Sequence, residues 1–361
     1  MATHKRGWAY IFYGYIYCFD SLYKKTNIRM KKIALLIGVI MLIVLAFQYQ
    51  SKKKTIDQTL SDFAIEDTAS ITKVFLADRF NHSVTLNRNN NQWVVNDKYP
   101  IRKDALEYLL STIKNIKVKH PVSNSMHDKI ITNLATSSVK IEIFTNNEEV
   151  ASKTYYIGGE ARDMIGSYML MEHSNRAFVV YLPGFNGFLA PRYNIDGTVV
   201  NSDLWRDRTI FSLENESIKS VQVINHEDSL SSFEIKRQED QFFIKRNNET
   251  KSISKQDGML YFNLFKQVNC EGYMNDFSLK DSIFNSSPFY TINVHSTDDQ
   301  HLMLHTYKKP MDRSKYTVQN GNQNTLDPDR MYAKWNNDLM LIQFYIFDKI
   351  LLRTPQFSVE K

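Results

Sequence analysis

The fold of this 361-residue chain is decided by two stretches with one pattern, VTLNRNNNQWVV at residues 84–95 and FEIKRQEDQFFI at residues 233–244. In each stretch, apolar and polar side chains alternate on both sides of a short polar segment. This pattern is typical of two half-buried strands joined by a hairpin loop. The sequence ITKV at residues 71–74 likewise recurs as IKSV at residues 218–221. Spacings of 147 and 149 residues therefore predict an internal repeat.

A helix and further strands follow the hairpin in both halves. Apolar side chains recur at helical spacing after Asp104 and again after Asp257. The two apolar stripes consist of Leu106, Leu109, Leu110, Ile113 and Ile116, and of Met259, Phe262, Phe265 and Val268. Alternation then returns at residues 139–143 and 292–294. The sequence therefore predicts an α+β fold with two similar lobes, each a β-hairpin, a helix and further antiparallel strands. The alternative is a chance similarity between two α+β domains.

The boundary between the lobes is predicted near residue 200. Residues 194–202 lack a hydrophobic period and contain the turn signal Asp196-Gly197. We therefore expect a first lobe at residues 55–200 and a second lobe at residues 201–361. In these lobes Trp93 and Phe242 should occupy equivalent, half-buried strand positions.

A compact charged segment follows this boundary. Its sequence is Trp205-Arg206-Asp207-Arg208. The pattern favours a structural clasp, in which arginine and aspartate side chains form a network under the indole ring. A pair of arginines that binds a ligand is the alternative.

One apolar segment before the lobes approaches the length of a membrane span. Residues 33–47 are fifteen positions without a charged or polar side chain, and lysines lie on both sides. A span needs about 20 helical residues, and continuing the helix to residue 50 brings the segment close to that length. The expected anchor positions are Ile33, Leu36, Ile40, Ile43, Phe47 and Tyr49. We therefore expect a single transmembrane helix within residues 30–54, after which the lobes begin. A cleaved signal peptide and a buried core helix are the alternatives.

The basic residues around this segment predict its orientation. Five lysines and arginines lie at residues 24–32, against three lysines at residues 52–54. The more basic flank of a span remains in the cytoplasm. The expected location is therefore the bacterial inner membrane, single-pass, with the C-terminal domain in the periplasm. Residues 1–29, before Met30, are interpreted as a mis-annotated or non-structural leader, with a functional cytoplasmic tail as the alternative.

The charge of the chain divides at the same place. Residues 1–54 contain ten lysines and arginines against one acidic residue, a net charge of +9. The rest of the chain contains 35 basic and 38 acidic residues, a net charge of −3. A domain without excess positive charge lacks the electrostatic basis for binding phosphate backbones. We therefore expect the membrane, but no nucleic acid, as a partner.

Motifs of common enzymes are missing from the sequence. The chain contains no G-x-S-x-G, no H-E-x-x-H, no Walker loop and no G-x-G-x-x-G. Only one cysteine, Cys270, follows the anchor, which excludes a disulfide within the lobes. We therefore expect neither catalysis nor a cofactor.

The candidate ligand-binding residues lie in one stretch of the first lobe. They are Gly158, Gly159, Glu160, Asp163 and His173. Adjacent glycines permit close backbone approach, and the polar side chains would converge if the two strands that carry them paired suitably. The alternative is that the glycines end a strand and the polar residues form hairpin tips.

A second group has the residue types of a divalent-metal site. It consists of His295, Asp298, Asp299, His301 and His305. On a strand, however, His301 and His305 would lie about 13 Å apart, which is too far to share one ion. We therefore expect no metal site.

Several segments resemble the bacterial membrane-anchored family called domain of unknown function 4340. They are residues 63–68, 93–100, 155–159, 166–171, 182–185 and 205–208. The resemblance extends well over residues 30–215 and weakly over the second lobe. It implies one N-terminal anchor and an envelope domain, without an established activity or catalytic residues. Some relatives are associated with transporter components of the gliding-motility type, which suggests a class of partner.

Three classes of function remain open at this point. The first is a non-enzymatic binding or scaffold module of an envelope complex, with a transporter component as a candidate protein partner. The second is a receptor for a small ligand or glycan in a cleft between the lobes. The third is a hydrolase whose site has no recognisable motif. The sequence does not determine the oligomeric state.

Overall fold

The fold is described by a computed structural model that covers residues 40–41, 61–90, 92–311, 317–319 and 322–352. The chain divides into two compact units, Met1–Ser61 and Asp62–Lys361.

Most of the predicted anchor lies outside the described residues. Ile40 is described, is helical, and has a side chain that is 52% exposed. The other anchor positions, Ile33, Leu36, Ile43, Phe47 and Tyr49, and the leader at residues 1–29 lie outside the described part. Among the residues that the structure describes, no helix combines the length and the apolar character that a membrane span requires.

Strands dominate the unit Asp62–Lys361. The described strands of the first half are β1 (Ile71–Ala77), β2 (Ser83–Asn89), β3 (Gln92–Val95), β4 (Tyr99–Pro100), β5 (Lys117–Pro121), β6 (Val139–Thr145), β7 (Lys153–Glu160), β8 (Ser167–Met171), β9 (Phe178–Tyr181), β10 (Ile195–Asp196) and β11 (Val199–Val200). Those of the second half are β12 (Thr209–Phe211), β13 (Ile218–Asn225), β14 (Phe233–Gln238), β15 (Gln241–Arg246), β16 (Glu249–Ile253), β17 (Val268–Asn269), β18 (Gly272–Tyr273), β19 (Tyr290–Ser296), β20 (His301–Pro310), β21 (Thr317–Gln319), β22 (Asn322–Asn324), β23 (Leu326–Trp335) and β24 (Asp338–Gln343).

Short helices connect these strands. The described α-helices are α1 (Lys103–Asn115), α2 (Asn124–Ser137), α3 (Lys255–Asn263), α4 (Lys280–Phe284) and α5 (Phe344–Phe347). The described 3-10 helices are Thr68–Ser70, Ala190–Tyr193, Ser202–Leu204, Asn215–Ser217 and Ser229–Ser231.

Two antiparallel sheets of nine strands each contain most of the described strands. The first has the order β4-β3-β2-β1-β6-β7-β8-β9-β5, and the second has the order β16-β15-β14-β13-β19-β20-β23-β24-β18. Each strand of the first sheet therefore has a counterpart at the same place in the second. The predicted α+β fold is confirmed, and two large sheets fit the two predicted lobes.

The repeat extends to local details of the backbone. A 3-10 helix precedes both β1 and β13. A β-bulge follows at the same place, where β1 pairs with β6 and where β13 pairs with β19. An arginine on the next strand then bonds the 3-10 helix: Arg88 donates to the Ala69 carbonyl at 2.7 Å, and Arg237 donates to the Asn215 carbonyl at 2.9 Å. Because these features depend on side chains as well as on topology, they indicate that the two lobes are repeats of one unit.

Each sheet buries its inner face under a helix. In the first lobe, α1 contributes Leu109 and Ile113, both fully buried. In the second lobe, α3 contributes Tyr261 and Phe262, and the Phe262 ring packs edge-on against Phe242 at 5.3 Å. Desolvation of these apolar side chains is the main force that holds each helix to its sheet.

A smaller apolar cluster covers part of the opposite, outer face of each sheet. In the first lobe, Ile130 and Leu134 of α2 pack with Tyr168 and Leu170 of β8. In the second lobe, Tyr307, Tyr332 and Leu339 form the equivalent cluster, with side chains from the α4 region against it. Beyond these clusters, the outer faces consist mainly of polar residues.

Trp93 and Phe242 occupy equivalent positions, as predicted, but they are buried to different extents. Trp93 pairs with Arg88, and Phe242 pairs with Arg237, in equivalent registers. Phe242 is 2% exposed, whereas Trp93 is only half-buried. The difference arises in the second lobe, where α3 approaches so closely that a Cβ added at Gly258 would lie 2.2 Å from the Phe242 ring.

Truncation should therefore affect the two positions unequally. We expect Phe242→Ala to lower the free energy of unfolding by about 3–5 kcal/mol, because it opens a cavity beneath α3. Trp93→Ala should cost clearly less, since solvent already reaches the indole. Urea denaturation of the purified protein measures both changes. Phe80→Ala, at a side chain that is 58% exposed, is the control, and equal losses for Trp93 and Phe242 would contradict this account.

Candidate functional site

The ligand-binding residues predicted in the first lobe do not form one cluster. Glu160 ends β7 and pairs with Ser167 at the start of β8. His173 lies beyond the other end of β8, in a turn with a positive φ of 62°. Because a strand of five residues spans about 13 Å, Glu160 and His173 lie far from each other. The structure thus places the two side chains at opposite ends of the hairpin.

Packing and pairing explain the other members of this group. A Cβ at Gly158 would lie 2.6 Å from Cδ2 of Leu134, so glycine allows α2 to pack closely on β7. A Cβ at Gly159 would meet nothing within 4 Å. In the turn after β7, Asp163 accepts a hydrogen bond from Lys119 Nζ at 2.5 Å, and this contact holds the pKa of Asp163 below its usual range.

The junction of the two lobes contains a buried charge. Arg206 is 4% exposed. Its guanidinium donates to both oxygens of Asp338, at 3.2 and 2.6 Å, and to Asp203 at 3.0 Å. Burial acts to lower the pKa of Arg206, but the hydrogen bonds to the two carboxylates outweigh burial and raise it. Arg206 therefore remains charged while it is almost fully removed from water.

Aromatic rings cover both sides of this guanidinium. The Arg206 Cζ lies 3.6 Å from the ring centroid of Tyr99 and 3.8 Å from that of Tyr273. A cation between two aromatic faces gains electrostatic attraction that increases as water is excluded. Tyr99 belongs to β4 of the first lobe, whereas Tyr273 and Asp338 belong to β18 and β24 of the second. One side chain thus bonds both lobes, and we call Arg206 with these partners the Arg206 clasp.

Hydrogen bonds around the clasp hold the chain that connects the lobes. Arg102 N donates to the Trp205 carbonyl at 2.8 Å, and Asp207 N donates to the Pro100 carbonyl at 2.9 Å. On the second lobe, Asn275 donates to Asp338 at 2.9 Å and accepts from the backbone of Leu339. Backbone and side chains together therefore join the lobes.

The interpretation of residues 205–208 as a structural clasp agrees with this geometry, although the composition of the network differs. The rings over Arg206 are tyrosines, while the Trp205 indole is itself fully buried. Asp207 accepts bonds from the backbone and hydroxyl of Thr209 and does not pair with Arg206. Sequence reasoning missed Asp338 because it lies 132 residues from Arg206, and no local spacing could reveal that contact.

Removal of the clasp should destabilise the whole protein. We expect Arg206→Ala to lower the free energy of unfolding by about 3–5 kcal/mol, because it breaks a buried ion pair and leaves the half-buried carboxylate of Asp338 without its guanidinium partner. Arg206→Lys should also destabilise, since an ammonium cannot bond both carboxylate oxygens in the same plane. Urea denaturation followed by tryptophan fluorescence measures the change. Lys255→Ala, which removes an exposed pair with Asp240, is the control, and an equally small effect at Arg206 would refute the clasp.

Two histidines share one hydroxyl on the outer face of the second sheet. His226 Nε2 lies 2.9 Å from Thr291 Oγ1, and His305 Nδ1 lies 3.0 Å from the same oxygen. The hydroxyl has one proton, so it donates to only one imidazole at a time. Burial, and then the nearby charges of Lys334 and His226, hold the pKa of His305 below its usual range. The folded protein therefore favours neutral His305.

This arrangement predicts a loss of stability in mild acid. In the unfolded state, His305 binds a proton below about pH 6.5, whereas in the folded state burial opposes protonation of its imidazole. The stability of the folded protein therefore falls as the pH drops through that value. His305→Asn should reduce the difference between melting temperatures at pH 7.5 and pH 5.5. Met303→Asn, two residues away on the same face, should leave that difference unchanged. A wild-type pH dependence in the His305 variant would contradict the prediction.

The second-lobe residues with metal-ligand side chains, for which we expected no metal site, are divided among different contacts. His305 bonds Thr291, Asp298 accepts from the Ser296 hydroxyl, and His301 packs against His295. Within the described residues, no three histidine, cysteine, aspartate or glutamate side chains are placed to hold a metal ion. Cys270 is buried, which raises the pKa of its thiol to about 12.

The fold and the clasp define a class of protein: an α+β protein of two repeated antiparallel lobes joined by a buried arginine. The model of the family "Domain of unknown function (DUF4340)" matches residues 93–276, just over half of the chain. The chain belongs to this family. The match includes Tyr99, Arg206 and Tyr273 of the clasp, and it extends further into the second lobe than the sequence resemblance indicated. No curated protein and no solved structure matches the chain.

Proposed function

We propose that this protein is a non-enzymatic binding or scaffold module of a bacterial envelope complex. In this proposal, residues 33–47 anchor it in the inner membrane, and both lobes lie in the periplasm. Its partner is another envelope protein, with a transporter component as the candidate. The uncharged segment at residues 33–47, which has lysines on both sides, supports the proposed membrane anchor. Membership of the DUF4340 family supports a role that other members share.

The Arg206 clasp is the observation that carries the proposal. A receptor that closes on a ligand requires lobes that move about a hinge. Here a desolvated ion pair and two aromatic contacts lie at the junction, where they oppose such motion. A stable interface needs about 800 Å² from each partner, and preorganised lobes supply such an area without an entropic cost of ordering. Fixed lobes therefore favour a binding surface over a closing receptor.

Three clefts of the described structure each lie within a single lobe. One of about 410 Å³ lies beside Asn124 and Arg176 in the first lobe. Two others, of about 210 and 300 Å³, lie in the second lobe, beside Phe289 and beside His295. None of these three lies at the junction, so they give no support to a receptor that binds its ligand between the lobes.

Co-purification from native membranes tests the proposed function. The intact protein should remain in carbonate-washed membranes and, after mild crosslinking and solubilisation, should bring down a defined set of envelope proteins. Arg206→Ala, assayed at a temperature where it remains folded, should lose this set because its lobes are no longer held together. Glu160→Ala and His173→Ala should retain both the set and the cellular role.

Three results would contradict the proposal. Recovery of a soluble form that begins near residue 48 would exclude the anchor. Val150→Cys, made with Cys18→Ser at a side chain that is 77% exposed, should react with an impermeant thiol reagent in intact spheroplasts; labelling only after lysis would reverse the orientation. Loss of the cellular role in a stable Glu160 or His173 variant would indicate a ligand-binding or catalytic site instead.

A further inference from the structure

A straight row of polar side chains crosses the outer face of the second sheet. Lys236 lies opposite Ser220, Ser220 opposite His295, and His295 opposite His301. Neighbouring strands are about 4.8 Å apart, so the four residues lie side by side. The His295 and His301 rings meet edge to face with centroids 4.1 Å apart. Within the described residues, neither imidazole nor the Lys236 ammonium has a hydrogen-bond partner.

A β-bulge adds another cation to this row. The register between β13 and β19 shifts between Ile218 and Ser220, which makes Lys219 the extra residue. Bulges redirect a side chain, and they occur frequently beside functional sites. Lys219 and the row line a cleft of about 300 Å³. Five potential hydrogen-bond donors from four strands therefore surround one space.

In the first lobe, larger side chains occupy the position that corresponds to this cleft. Lys73 and Phe144 of the first sheet occupy the places that Ser220 and His295 occupy in the second. There, the Lys73 ammonium lies over the Phe144 ring at 3.8 Å from its centroid. In the second lobe a short serine replaces the lysine, and an imidazole replaces the phenyl ring. The substitutions leave the cleft open and provide it with N–H and O–H donors.

The chemistry of the lining indicates the class of ligand. Ammonium groups, imidazole N–H groups and a serine hydroxyl all donate hydrogen bonds to oxygen atoms, and those from charged donors are the strongest. Within the described residues, no three metal-ligating side chains converge here to hold a metal ion. Glu234 and Asp299 line the same cleft, and Asp299 lies 3.7 Å from Lys219, so these carboxylates can accept bonds from a hydroxyl on the same ligand.

We propose that this cleft of the second lobe binds a phosphate group that is carried by a hydroxyl-bearing molecule. Lys219, Lys236, His295 and His301 bond the phosphate oxygens, and Ser220 provides the space for it. The site goes beyond the function proposed above, because it requires neither the membrane anchor nor a protein partner.

Calorimetric titration of the purified full-length protein in detergent, at constant ionic strength, tests the site. Inorganic phosphate should bind saturably, and glycerol phosphate should bind more tightly because it adds a hydroxyl. The double variant S220K/H295F places the first-lobe pair in the second lobe, where the same backbone accepts it. It should weaken phosphate binding at least tenfold, about the effect of one charge-assisted hydrogen bond.

Two further variants make the result decisive. Lys236→Gln should weaken binding about tenfold without a change in the core, which covers the case in which the double variant fails to fold. Lys255→Gln, at an exposed lysine outside the cleft, should bind as wild type does. Equal affinity in all variants, or no saturable binding, would overturn the proposal. The phosphate group belongs either to a lipid headgroup or to a soluble molecule, and vesicles that contain phosphatidic acid distinguish these two sources. If the wild-type protein binds the vesicles more strongly than the S220K/H295F variant does, the ligand is a lipid headgroup.

Discussion

The bidentate pairing of Arg206 with Asp338 is the interaction on which the described architecture depends. A guanidinium that is 4% exposed is stable only if its charge is compensated. Here Asp203 and Asp338 provide the carboxylates, and Tyr99 of the first lobe provides a cation–π contact. The carboxylates hold the guanidinium in one plane, and the Tyr99 and Tyr273 rings then cover its two faces. Separation of the lobes would break the contact between Arg206 and Tyr99 and the backbone hydrogen bonds beside it. The clasp therefore opposes relative motion of the lobes, although each has its own sheet and its own core.

Each lobe has a self-contained core because each repeats the same sheet. The shared strand order, the shared bulge and the equivalent arginines Arg88 and Arg237 preserve the backbone while the surfaces differ. On the inner faces the apolar character is kept in both lobes. On the outer faces the side chains differ, as Lys73 and Ser220 show at equivalent positions. The two lobes therefore share a backbone architecture and differ in surface chemistry.

Much of the fold could be predicted from local patterns, whereas the junction could not. The alternation of apolar and polar residues around Trp93 and Phe242 predicts strands, and the apolar stripe that contains Leu109 predicts a helix. Both patterns arise because an element that is buried on one side has apolar residues at regular intervals. The same patterns identified Trp205–Arg208 as structural. Contacts between distant residues leave no such period: Asp338 and Tyr273 have nothing in their own neighbourhoods that points to Arg206. Likewise, Glu160 and His173 are close in sequence, but the length of β8 separates them, and only the register shows this.

The position of β5 and β18 in the sheets has a consequence for how the chain folds. Each lies at the far edge of its sheet and pairs only with the last strand of that sheet along the chain, β9 or β24. About sixty residues of sequence separate the two paired strands in each case. Topologies with such distant pairings fold slowly, because loop closure is costly before the contacts that compensate for it form. During synthesis, β5 and β18 therefore have no strand partner in the sheet until β9 and β24 emerge, and their backbone groups remain open to pairing with another chain.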